Sequence, residues 1–347
     1  MKIILATTSN PFVDGGASLM AQWLQEALVA AGHTVELLEF PFSSDWRDLP
    51  QQALALRLLD VSQHGDRLIA IRPLSYLLKH PHKIVWFIHH HRGAYDLWGT
   101  RYQDIPVTPY GVGLRRLLFR ADQVGLGEAR KLFCNSKTTA RRLKEYNGLD
   151  AEVLYPPVWR PERFRCGPPG DAVVCIARLT HHKRQWLAVE SLQYTKTPVR
   201  LIIAGQAAPG EQAYAAELQD RVARLGLQDR VTFLEHWISE DTKISLLENC
   251  LAAAYFPLNE DSYGFTALEA FLAAKPVVTT TDAGGVLELV EDRKSGLVVP
   301  PEPSQIADAF DQLYSDRVQA EAMGKAAHQR ISDLGISWES AIARLLS

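Results

Sequence analysis

Ala172-Val173-Val174-Cys175-Ile176-Ala177-Arg178-Leu179-Thr180-His181-His182-Lys183 is the stretch from which the fold is read. Its first six residues form a short apolar run rich in β-branched side chains, the mark of a buried strand. A polar turn follows, and a helix is expected from near Gln185. The same rhythm continues downstream, with strand-like runs at 201–204, 231–234, 252–256, 277–280 and 297–299. Upstream it occurs at 3–5, 35–38, 68–71, 84–88 and 153–155, with helical apolar spacing over 17–30 and 138–146. Strands alternating with helices in this way give βαβ units and a parallel sheet. The rhythm breaks at Pro156-Pro157-Val158-Trp159-Arg160-Pro161 and at Pro168-Pro169-Gly170, where proline favours extended chain.

The expected architecture is therefore α/β, with two doubly wound Rossmann-like domains facing each other across a cleft. Residues 1–160 make the first domain and 161–336 the second. Residues 337–347 form a final helix capped by Ser337, with Trp338, Ile342 and Leu345 on a face that could pack back on the first domain. Ligands of open parallel sheets bind beyond the carboxyl ends of the strands, so the cleft is the expected site.

A chain of 347 residues is long enough for two such cores, and 47% hydrophobic with 22% charged residues is an ordinary globular composition. The net charge of -3 argues against a nucleic-acid binder. Cys134, Cys166, Cys175 and Cys250 form no Cys-x-x-Cys pair, so neither a zinc ribbon nor a disulfide framework is expected. The run Ile3 to Ala6 reads as a first strand rather than a secretory signal. No apolar stretch approaches the ~20 residues that span a bilayer. A soluble cytoplasmic protein is expected, peripheral to the inner face of a membrane at most.

Two constellations carry chemistry. Arg178 and Lys183 place a planar fork and a point charge at one strand end, suited to a departing diphosphate without a metal. Asn259-Glu260-Asp261-Ser262-Tyr263-Gly264-Phe265-Thr266-Ala267-Leu268-Glu269 follows a strand and opens a helix. Gly264 permits the tight turn, and free N–H groups at the helix start favour an anion. Asp261 and Glu269, eight apart, can flank one bound molecule and accept hydrogen bonds from paired hydroxyls of a sugar or ribose.

This set resembles the signature of the family 4 retaining glycosyltransferases of GT-B fold, the glycosyl transferases of group 1, and the resemblance extends over nearly the whole chain. The family commonly has Gly-Arg-Leu followed by Lys, and two Glu spaced by eight around a glycine turn. Here Ala177 replaces the Gly and Asp261 the first Glu. The resemblance implies that Arg178 and Lys183 bind the donor diphosphate, Asp261 the transferred sugar and Glu269 the nucleotide ribose. Backbone at Gly264, Phe265 and Thr266 would complete that cradle, with Gly205, His236 and Trp237 in the nucleotide pocket. In the first half, Asp14-Gly15-Gly16 resembles the family's glycine loop at the donor phosphates, and His89 matches a His at a strand end against the donor sugar. Tyr95 and Asp96, beyond that strand end, fall on the acceptor side.

The resemblance further implies a metal-independent transfer with retention from a nucleotide-diphosphate sugar, UDP- or GDP-linked, to a hydroxyl of a saccharide, lipid-linked or small-molecule acceptor in glycan, polysaccharide or glycolipid biosynthesis. No cofactor is required. His89, His90 and His91 alternate across a strand and cannot all chelate one ion. The run 114–120 reads either as an ordinary helix with solvated arginines or as a basic patch touching anionic lipid. A dinucleotide oxidoreductase is disfavoured because no Gly-x-Gly-x-x-Gly follows a strand, and a serine hydrolase because no Gly-x-Ser-x-Gly occurs. A nucleotide-sugar epimerase and a non-catalytic sugar-nucleotide-binding protein stay open as alternatives.

Overall fold

The computed structural model describes residues 1–11, 16–43, 45–100, 103–207 and 210–347. It divides into two compact units, Met1–Trp159 with Ile336–Ser347, and Arg160–Gly335. In the first unit the strands are β1 (Lys2–Ser9), β2 (Thr34–Pro41), β3 (Arg67–Ala70), β4 (Lys83–Phe87), β5 (Lys131–Cys134) and β6 (Glu152–Val153). Its helices are α1 (Gly16–Ala30), α2 (Leu49–Leu58), α3 (Pro109–Gly127) and α4 (Lys137–Asn147). The second unit holds β7 (Ala172–Ile176), β8 (Arg200–Ala204), β9 (Val231–Leu234), β10 (Ala252–Ala254), β11 (Val277–Thr280) and β12 (Gly296–Val299). Its helices are α5 (Gln185–Ser191), α6 (Gln212–Arg224), α7 (Glu240–Glu248), α8 (Phe265–Leu272), α9 (Val286–Leu289), α10 (Pro303–Ser315) and α11 (Arg317–Asp333), and α12 (Trp338–Leu346) ends the chain.

Each unit has a six-stranded sheet, ordered β2-β1-β3-β4-β5-β6 and β12-β11-β10-β7-β8-β9. Every pairing is parallel. Helices cover the sheets, so β1, β4, β7, β10 and β11 are buried along nearly their whole length and read as continuous apolar runs. β5 is absent from the strands expected above: Lys131-Leu132-Phe133-Cys134 is bracketed by a lysine and a helix-capping turn, too short a run for its period to be read.

The last helix belongs to the first unit. The Ser337 hydroxyl accepts from the Ser340 N–H and caps α12. Trp338 Nε1 donates to the Val158 carbonyl at 3.0 Å, Arg344 to that of Val153 at 2.8 Å, and Arg67 to that of Leu345 at 2.8 Å. No described helix is long and apolar enough to cross a membrane.

A polar cluster lies inside the first unit. Asp122 of α3, 3% exposed, accepts from Tyr76 Oη at 2.7 Å and Tyr95 Oη at 2.6 Å. Burial pushes its carboxyl up to about 6 against those bonds. With the folded value above the unfolded one, the folded state holds the extra proton, and stability falls as pH rises from about 4 to about 6. Asp122→Asn should therefore raise stability by up to about 3 kcal/mol at pH 8 and by less than about 1 kcal/mol at pH 4. Urea unfolding of both forms at the two pH values checks this, and an equal gain at both would contradict it.

Candidate active site

Strand order makes a crevice in the second unit. β8 and β9 lie to one side of β7, whereas β10, β11 and β12 lie to the other. The chain leaves β7 toward β8 and β10 toward β11, in opposite directions, which makes the carboxyl ends of β7 and β10 the switch point where ligands of open parallel sheets bind. Backbone bonds hold the loops in place. Leu258 N–H donates to the His182 carbonyl at 2.8 Å, and Asn259 N–H to that of Asp282 at 2.9 Å. Glu260 N–H donates to the Ala283 carbonyl at 3.2 Å, and Gly285 N–H to that of Glu260 at 2.9 Å. Such close approach needs Gly284 and Gly285, since a Cβ on either would sit 2.5 to 2.7 Å from backbone atoms of residues 260 and 262.

Lys183 ends a single 3₁₀ turn after β7. Its ammonium donates to Tyr255 Oη at 2.6 Å and to Glu260 Oε2, and sits 5.0 Å from the Tyr255 ring centroid. The Tyr255 hydroxyl in turn donates to Glu260 Oε2 at 3.1 Å. Burial first, then the Glu260 charge, lifts the Tyr255 phenol well above its ordinary value, so it stays protonated. Arg178 is exposed, and its guanidinium has no hydrogen-bond or ion-pair partner among the described residues. Its charge nevertheless acts on the Tyr255 phenol, the same group that the Lys183 ammonium meets.

The helix opening at Gly264 lies against the same tyrosine. Gly264 has φ 74°, and a Cβ there would lie 2.3 Å from Tyr255 Cε1. The glycine is thus required twice, by its backbone and by the ring against it. Gly264→Ala should cost about 2–5 kcal/mol from strain and overpacking. Gly113→Ala, with nothing within 4 Å of its Cβ, is the control and should be close to neutral. Denaturant midpoints of the two variants make the comparison, and equal values would contradict it. Thr266 Oγ1 donates to the Ile176 carbonyl at 2.6 Å, fixing the first turn of α8 to the end of β7.

Asp261 is 8% exposed beside this turn. Glu269, one turn into α8 and 3% exposed, accepts from Lys243 of α7 at 2.6 Å, and Lys243 also pairs with Glu240 at 2.8 Å. Burial raises the Glu269 carboxyl above its usual range despite that lysine. Gly205, with φ 147°, ends β8, where a Cβ would lie 2.0 Å from the Ala177 carbonyl oxygen. Ala177 and Gly205 therefore touch backbone to backbone under Arg178. His236 and Trp237 follow β9 and are exposed, Trp237 by 51%.

The residues singled out in the first unit stand at the end of β4 and beyond. His89 is half-buried, its Nδ1 2.7 Å from the His90 carbonyl oxygen. His90 is buried, stacked on Tyr95 with centroids 4.1 Å apart, and bonded through Nε2 to Asn147 Oδ1 at 2.8 Å. Burial pushes the His90 imidazole down to about 4, which keeps it neutral. Tyr95 is packed in the core between His90 and Phe119, its hydroxyl on Asp122. Asp96 accepts from Arg92 at 2.7 and 2.9 Å and lies 3.4 Å from Arg142. Gly16 begins α1, and Gly15 lies outside the described residues. Among the described residues, no three His, Cys, Asp or Glu side chains are grouped as a metal site would require.

The structure groups Arg178, Lys183, Asp261 and Gly264 about Tyr255, with Glu269 further along α8, whereas Tyr255, Glu260, Lys243 and the Gly284-Gly285 pair are not among the residues that the motifs select. Glu260 was within the quoted stretch, but spacing by eight from Glu269 selects its neighbour. Tyr255 looks like the end of a buried strand. Only the tandem glycines ahead of a short helix carried a signal of their own.

Two doubly wound units, with cations, carboxylates and a helix start at the switch point of the second, place these charged groups where open parallel sheets hold their ligands. The family model described as "Glycosyl transferases group 1" matches residues 168–330. The human alpha-1,3/1,6-mannosyltransferase ALG2 is 27% identical over 298 residues, covering 77% of this chain and 68% of that protein. Its counterpart in Dictyostelium discoideum is 36% identical over 141 residues, 40% of this chain and 33% of that one, so the stronger match spans only about a third of the relative. The crystal structure of Anabaena HepE in complex with UDP and glucose superposes with a TM-score of 0.74 at 20% identity, covering 99% of each chain. Residues 168–330 thus carry a group 1 glycosyltransferase match, and the chain has the GT-B fold.

Proposed function

We propose that this protein transfers a sugar, with retention and without a metal, from a nucleotide-diphosphate sugar to a hydroxyl acceptor. The observation that carries the reading is the placement of Lys183 and Arg178 beside the glycine-opened start of α8, with Glu260, Asp261 and Glu269 around them. Arg178 and Lys183 bind the diphosphate, Asp261 the transferred sugar, and Glu269 the ribose. The N–H groups at Gly264, Phe265 and Thr266 take phosphate oxygens, while Gly205, His236 and Trp237 border the base. The first unit supplies the acceptor side, together with His89 and Gly16.

As the bond from the anomeric carbon to the diphosphate breaks, negative charge gathers on the leaving oxygens, where fixed cations stabilise it most. The acceptor oxygen bonds to the anomeric carbon on the same face, and its proton passes to the departing phosphate oxygen. No protein nucleophile or separate base is needed.

ALG2 is a mannosyltransferase by name and the HepE complex holds UDP and glucose, which makes GDP- and UDP-linked mannose and glucose the first donors to try. A thermal-shift screen of UDP, GDP and ADP with these sugars tests the reading. A cognate ligand at ~100 times its dissociation constant should stabilise the protein by about 2.7 kcal/mol. No shift with any nucleotide would contradict it, and a shift without turnover on added acceptors would favour a non-catalytic binding protein.

A further inference from the structure

The turn that carries Lys183 closes on Arg184, which has φ 53° and lies in the left-handed region. That conformation costs a residue with a Cβ about 1–2 kcal/mol, and glycine or asparagine ordinarily takes it. The side chain of Arg184 accounts for the exception. It is buried, and its Nε donates to the Phe256 carbonyl at 2.8 Å. Nη1 reaches Asp282 Oδ2 at 2.7 Å, while Nη2 reaches Asp282 Oδ1 at 2.6 Å, Thr280 Oγ1 at 3.0 Å and the Pro257 carbonyl at 3.1 Å.

These partners stand at the ends of two other strands. Phe256 and Pro257 follow β10 and lead into Glu260 and Asp261, and Asp282 follows β11. Asp282 is itself held by the Thr280 hydroxyl at 2.8 Å, and its carbonyl accepts the Asn259 N–H at 2.9 Å. One planar fork therefore joins the turn bearing Lys183 to the two loops that place its carboxylate partner. A lysine, a point charge, could not make this set.

We infer that Arg184 is a positioning residue: its guanidinium, through Asp282 and the Phe256 and Pro257 carbonyls, sets the Lys183 ammonium against Glu260 and Tyr255. Only the further step, that Lys183 so placed meets a donor diphosphate, rests on the proposed function. Among the described residues, the Arg184 guanidinium bonds to none of the side chains assigned to the donor.

The test uses the full chain and Arg184→Gly, which adopts the same φ without strain but loses every tie of the fork. Surface acylation by an amine-reactive acetate ester is followed at single lysines by peptide mass spectrometry. Lys183 is shielded by its two partners, and Lys275, buried in the same unit on the Gly167 and Pro168 carbonyls, reports general loosening. Local release should speed acylation of Lys183 by about fivefold or more while Lys275 keeps its rate. Asp282→Asn, which retains Arg184, should act in the same direction by about threefold. An unchanged or slower rate at Lys183 in Arg184→Gly, or an equal rise at Lys275, overturns the inference. A wild-type protein that turns over no nucleotide sugar would instead defeat the functional reading and leave this labelling result decisive for Arg184.

Discussion

Replacing Arg178 or Lys183 by alanine should each reduce sugar transfer by about 10²–10³-fold, the loss found when a fixed donor to developing charge is removed. The two variants should differ in stability. Arg178 is exposed and without a described partner, so Arg178→Ala should stay within about 0.5 kcal/mol of the parent. Lys183→Ala strips Glu260 and the buried Tyr255 hydroxyl of a partner and should lose about 1–3 kcal/mol. Nucleoside diphosphate release under saturating acceptor, with thermal unfolding on the same samples, measures both. Turnover close to that of the parent in either variant would remove that cation from the mechanism.

The second large effect concerns Glu269. Its carboxylate is almost wholly buried and faces Lys243, so Glu269→Ala leaves an ammonium in the interior with, among the described residues, Glu240 alone to pair with, on its more exposed side. Breaking one partner from a buried pair costs about 3–5 kcal/mol, and the remaining Glu240 puts the expectation near the lower end. For a unit of this size that is a fall of roughly 6–12 °C in unfolding midpoint. Loss of a charged hydrogen bond to ribose should separately weaken nucleotide binding by about 1.5–3 kcal/mol. Glu269→Ala combined with Lys243→Met separates the two effects. The double variant should regain most of the stability and none of the affinity. Affinity that returns with stability would mean that Glu269 holds the unit together and does not meet the ribose.

These expectations show how far the residues alone lead. The second sheet was legible strand by strand, because each strand is a short apolar run bounded by turn residues, and the parallel arrangement follows from the helices between them. β5 escaped for want of length, with only four residues and two of them half-buried. The cations at the end of β7 and the acids around Gly264 were legible because charge at a strand end is unusual. Their partners were not. Lys243 lies in the middle of α7, a short helix without a clear apolar stripe, where a lysine looks solvated until packing turns it inward onto Glu269. Arg184 reads as one more basic residue after Lys183, and only its left-handed backbone and five bonds reveal a tie between three loops. Tyr95, expected on the acceptor side, has its ring in the aromatic core and its hydroxyl on Asp122, a placement that its position after a strand does not disclose.

In the proposed reaction the second unit holds a nucleotide-diphosphate sugar through Arg178 and Lys183 and releases the diphosphate as the sugar moves. The most direct test is to incubate the protein with UDP- and GDP-linked hexoses and a mixed panel of saccharide and lipid-linked acceptors, and to follow both nucleoside diphosphate release and the anomeric configuration of the product by NMR. Acceptor-dependent release from one donor is expected, with a product of that donor's anomeric configuration and no such release by the Arg178→Ala, Lys183→Ala double variant. Inverted product, or release that persists in the double variant, would contradict it.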